Sequence, residues 1–74
     1  MEVHGLMADE KWVALVDNAA RGDLDAIADL AEAYYKGTFG QTDIIKARKW
    51  GMYAAKRGHM KAIAILAEME SKGM

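Results

Sequence analysis

Two histidines, eleven carboxylates, ten lysines or arginines and three tyrosines are the ionisable side chains of a 74-residue sequence that has no cysteine. Acid–base chemistry at neutral pH would fall first to His4 and His59, which stand 55 residues apart. Catalysis is poorly supported by two histidines so far apart in the sequence. His59 stands at a helix start, where a capping or solvated side chain is expected. Asp23, Asp25 and Asp29 could be read as a carboxylate cluster. They also fall in the first turns of a helix, where acids complement the macrodipole, and that reading accounts for them. There is no glycine-rich phosphate loop, nucleophile elbow or zinc spacing. Without cysteine there is no disulfide framework or thiolate metal site. The expectation is a protein that is not an enzyme and carries no metal or cofactor.

The charge pattern says more. Residues 1–43 hold nine acids and three bases, or −6, while residues 44–74 hold seven bases and two acids, or +5. A net charge of −1 therefore conceals a dipolar chain. Lys46, Arg48, Lys49, Lys56, Arg57 and Lys61 follow one another with no intervening acid. One reading is a solvated outer helix face. The other is a steering surface for an acidic partner, a protein or, less well supported, a nucleic acid. Nucleic acid is disfavoured because few aromatics on that helix are suited to base stacking.

The elements that must position these residues are helical. Ala, Leu, Met, Lys and Glu dominate, there is no proline, and 14 of the residues are Ala. Trp12, Leu15, Val16, Ala19 and Ala20 recur with helical period, between Asp9 as a cap and Gly22 as a stop. Ile27, Leu30, Ala31 and Tyr34 share the face of a second helix, which Asp23 opens and Gly37 ends. After a loop over 38–42, Asp43 caps a third helix with an inner face of Ala47, Trp50, Gly51, Ala54 and Ala55, ending at Gly58. Met60, Ile63, Leu66 and Ala67 belong to a fourth, which stops at Gly73. Short gaps make neighbouring helices antiparallel. No stretch approaches the ~20 apolar residues of a membrane span, and no leader pattern opens the sequence. A cytoplasmic protein that meets no membrane is expected.

A shift of 36 residues lays Arg21–Gly37 over Arg57–Gly73 with ten identities in 17 pairs, among them Gly22/Gly58, Ala26/Ala62, Ile27/Ile63, Leu30/Leu66 and Gly37/Gly73. A period of this length is the mark of stacked supersecondary units. The spacing Ala26-x3-Leu30-Ala31-x2-Tyr34-x2-Gly37, then Asp43-x2-Lys46-Ala47-x2-Trp50-x3-Ala54-Ala55-x2-Gly58-x3-Ala62, resembles the Sel-one-like repeat, a relative of the tetratricopeptide repeat. Leu66 and Gly73 continue it into a half repeat. An ankyrin unit is the competing resemblance, but its turn motif is missing and the period is too long. Departures are Phe39-Gly40 in the loop, Glu70 where Tyr34 stands in the first copy, and Asn18 where the leading helix would carry the first Ala of a pair.

The resemblance implies an all-α fold, a short α/α solenoid of four antiparallel helices like a fragment of a tetratricopeptide superhelix, and a role in protein–protein contact. The expected plan is one domain over 1–74: a flexible stretch 1–8, a leading helix 9–21, a full repeat 22–58 and a half repeat 59–73. Trp50 is expected in the core. In the repeat alignment Ile65 and Met69 replace Asp29 and Ala33, so they are expected to project from the last helix and, with Met60, to form an apolar docking patch. A protein partner, a second copy of the chain, or a fold-back of Val3, Leu6 and Met7 would cover it. The function expected is a single-target adaptor or small inhibitor, of a kind a phage or mobile element could encode. The alternatives are binding of nucleic acid or another acidic partner through the basic third helix, and a structural piece of a longer scaffold.

Overall fold

The computed structural model describes the backbone of residues 3–40 and 42–74, and the side chains of residues 10–40 and 42–74. Four helices form an all-α fold: α1 Val3–Ala20, α2 Leu24–Lys36, α3 Ile44–Ala55 and α4 Met60–Ser71. Among the described residues there is no strand. The first helix opens at Val3, six residues before the expected cap at Asp9. No proline interrupts 3–8, and Leu6, Met7 and Ala8 are good helix formers, so nothing in the chain stops the helix at Asp9. The fold-back expected of Val3, Leu6 and Met7 concerns side chains outside those described.

The other boundaries follow their caps. The Asp23 carboxylate accepts from the amides of Asp25 and Ala26 at 3.0 and 3.3 Å, and that of Asp43 accepts from the Lys46 amide at 3.0 Å. Each satisfies donors that a helix start leaves orphaned. At the end of α3, Gly58 takes φ 84°, its amide donates to Ala55, and the next amide, His59, reaches back to the Ala54 carbonyl at 3.1 Å. A residue with a Cβ is strained there, which is why glycine stands at the turn.

The second helix is the hub. Its buried residues include Ala26, Ile27, Ala28, Leu30 and Ala31, and it packs against α1, α3 and α4. Against it lie Ala19 of α1, Ala47 and Ala54 of α3, and Ala62, Ile65 and Met69 of α4. Gly51 of α3 faces both neighbours: a Cβ placed on it would lie 3.1 Å from Leu66 Cδ2 and 3.8 Å from Ala31 Cβ. Small residues thus bring three helices together, and alanine abundance has a structural cause. Larger side chains close the edges. Trp12 meets Tyr34 edge-on at 5.2 Å and Phe39 at 5.3 Å, so the loop phenylalanine packs on α1. Trp50 leans on the cluster of Ile27, Leu30 and Ala54 but is half-buried, less enclosed than a core tryptophan.

Candidate functional site

The apolar patch expected on α4 does not form. Met60 is 78% exposed, but Ile65 is 7% and Met69 0% exposed, packed with Tyr35 and Ala47. The cause is position within the repeat. Asp29 and Ala33 of α2 line an open groove beside Lys11 and Leu15 of α1, whereas the equivalent positions of α4 meet Tyr35 of α2 and Ala47 of α3. The larger side chains at 65 and 69 fill that contact. Tyr35 adds a hydroxyl that donates to Glu68 at 2.7 Å across the same seam, which holds the Glu68 carboxyl below its ordinary range, helped by Lys72.

The six-residue basic run divides. Lys61 turns inward to Asp29 at 2.5 Å and Glu32 at 2.7 Å. The bond to Asp29, then that to Glu32, raises the Lys61 ammonium above its ordinary range, and the Lys61 bond holds Glu32 below its own. Lys61 is therefore part of the α2–α4 contact rather than of a docking surface. The Arg48 guanidinium donates to the Met74 carbonyl. The remaining four bases stay on the outside of α3. Lys46 lies 5.5 Å from the centre of the Tyr34 ring, and Arg57 stacks over Tyr53 at 3.6 Å while donating to the Tyr53 carbonyl at 2.9 Å. Lys49 and Lys56 are exposed and in no ion pair among the described residues.

Between these bases stand three large apolar residues that the sequence reading passed over: Ile45, 80% exposed, Met52 and Tyr53. Residues 45, 49, 52, 53 and 56 recur at helical spacing on the side of α3 away from Ala47, Gly51 and Ala54. The signal was present as a second apolar period on one helix, masked by the alanine stripe. The helix IIKARKWGMYAA contains no acid, so nothing within it offsets the positive potential. An apolar centre rimmed by cations is a surface able to bury area and to select sign. A shallow apolar groove also runs along α1, lined by Trp12, Val13, Val16 and Ala20 with Asp17 at its side.

The acidic trio is occupied in structure. Asp23 caps α2, Asp29 holds Lys61, and Asp25 accepts a hydrogen bond from His59 Nε2 at 2.8 Å. His59 takes the backbone position of a cap, yet its side chain makes no capping bond and is 18% exposed. Neither capping nor solvation describes it: the ring ties the α3–α4 turn to the start of α2. Its Nδ1 is buried without a partner among the described residues. No group of three His, Cys, Asp or Glu among the described residues is placed to hold a metal ion. Likewise, no described helix is long and apolar enough to cross a membrane. The chain matches no protein-family model, no curated protein and no solved structure.

Proposed function

We propose that the chain is a protein-binding module that docks an acidic, apolar-studded protein surface on the outer face of α3. The observation that carries this reading is the coincidence, on one acid-free helix and the turn that ends it, of exposed Ile45, Met52 and Tyr53 with Lys46, Lys49, Lys56 and Arg57. Exposed apolar residues standing singly are ordinary, but three on one helix face inside a cationic rim make a contact patch. The mechanism is docking: the rim steers and orients an acidic partner, and Met52 with Tyr53 is desolvated on contact. Methionine adapts to a partner's relief, and the tyrosine ring is held flat by Arg57. The resemblance to Sel-one-like repeats supports the same reading. A single small surface of this kind suits an adaptor or inhibitor acting on one target, in the cytoplasm.

The test is affinity capture from the source cells with the captured protein identified and cross-linked sites mapped. Lys49→Glu with Lys56→Glu, and separately Met52→Asp, are expected to cut capture of the same partner roughly tenfold or more while leaving the helical circular dichroism and melt unchanged. Capture should also weaken as salt rises. Unchanged capture by both variants would refute the α3 face. Loss of capture on nuclease treatment would move the surface to nucleic acid.

A further inference from the structure

We infer that the outer face of α3 in one copy of the chain receives the outer face of α1 from a second copy, the two helices lying antiparallel. This rests on the reading of α3 as a docking face and names what docks there.

Both faces are stripes that run straight along their helices. On α3 and its cap, Ile45, Lys49, Met52 and Lys56 fall at i, i+4, i+7 and i+11, all exposed and opposite buried Ala47 and Ala54. On α1, Glu10, Val13, Asp17 and Ala20 fall at i, i+3, i+7 and i+10, all exposed and turned off the side that holds buried Ala19. A recurrence averaging 3.5 residues keeps side chains in line along a helix and is the spacing of a helix–helix seam. The stripes alternate alike with opposite sign: apolar and base on α3, acid and apolar on α1. At 1.5 Å per residue they are about 17 and 15 Å long. Laid antiparallel, they bring Lys56 level with Glu10, Met52 with Val13, Lys49 with Asp17 and Ile45 with Ala20, each within about 1 Å along the axis. Laid parallel, level stripes set each charge against an apolar residue, and a shift that mends this leaves Glu10 and Lys56 beyond the overlap. The alternation therefore selects the direction.

The surroundings fit the pair. Within one molecule α1 and α3 each pack on α2 and do not touch, so the contact belongs to two copies. Met52 comes to the shallow groove of α1 beside Val13 and Val16. Arg48, on the apolar flank of α3, is held by the Met74 carbonyl. Asp17 bonds Arg21 at 3.1 Å yet keeps 61% of its side chain exposed, open to Lys49. Arg21 itself comes to the rim near Lys46, where each has a partner of its own, Asp17 for the one and the Tyr34 ring for the other. At long range α1 belongs to the half of charge −6 and α3 to the half of charge +5, which steers the encounter. Each copy carries one face of each kind, so the contact is heterologous, and association continues as a chain or closes as a ring. Self-association and the docking of another protein then compete for the same α3 face.

Sedimentation velocity and light scattering over a concentration series read this directly. Mass is expected to rise with concentration above the 8.1 kDa monomer and to fall back at high salt. Lys49→Glu with Lys56→Glu, and separately Glu10→Lys with Asp17→Lys, should each weaken association roughly tenfold or more while the circular dichroism stays helical. Mixing the two double variants in equal amounts should restore it, because every junction in an alternating chain then joins opposite charges. Met60→Asp, on exposed α4 surface, should leave association unchanged. A wild-type chain that stays at the monomer mass at every concentration would overturn the inference. So would a mixture no better than either double variant, or loss of association in Met60→Asp. Capture of another protein that still depends on Lys49 and Lys56 would then uphold α3 as the docking face, so the two readings fail separately.

Discussion

At the scale of single residues, ion pairs that look like surface decoration hold α4 to α2. Lys61 joins Asp29 and Glu32, and its partners are 50% and 30% exposed at the side chain, so the pairs are screened and together supply roughly 1 kcal/mol. Their pH dependence has a definite sign. The Glu32 carboxyl is lowered from 4.5, chiefly by Lys61, so its contribution is complete above that value and disappears as pH falls through the lower folded value. The Lys61 ammonium is raised from 10.5, so its contribution is complete below that value and disappears as pH rises through the higher folded one. Lys61→Met should lower the neutral-pH melting temperature by about 4–8 °C and flatten the acid limb of the stability curve. Thermal melts from pH 3 to 8 would check it; an acid limb as steep as that of the parent would show that other carboxylates govern it. None of this pairing was legible in the sequence, because Lys61 sits among five other bases in the chain and meets its acids only across helices.

At the scale of elements, the sequence spoke most clearly where backbone conformation leaves few choices. Asp23 and Asp43 cap as expected, and the glycine at 58 ends α3 in the left-handed region. Those are local rules, decided within about five residues. Helix contact is a second tier, and Gly51 shows it: the sequence placed this residue on the inner face, while only the fold reveals Leu66 at 3.1 Å from where its Cβ would stand. Gly51→Val should cost about 2 kcal/mol or more by forcing α3 off α4, with the loss seen in urea titration. A variant as stable as the parent would mean that Leu66 yields freely. The start of α1 was misjudged for a related reason. Asp9 has the chemistry of a cap, but a cap forms only where the chain leaves the helix, and nothing before it does so.

At the scale of the whole molecule, the repeat has two ends, and equivalent positions change meaning between them. Ile65 and Met69 were expected outside because their counterparts are polar or small; they are inside because Tyr35 of α2 and Ala47 of α3 close over them. Met69→Ala should therefore cost about 2–4 kcal/mol, a large part of what a chain of this length has, and broaden or abolish the cooperative melt. Met60→Ala, at a residue 78% exposed, should change stability by no more than about 0.5 kcal/mol. Equal effects of the two would reverse the assignment of inside and outside. The sequence by itself determined the helices, their stops, the all-α class and the 36-residue period, because capping, propensity and hydrophobic period are written in neighbouring residues. Which apolar and basic side chains remain free was decided only by tertiary structure. Exposure depends on which helix stands alongside, and a repeat assigns the same letters to a position that is covered in one copy and open in the other.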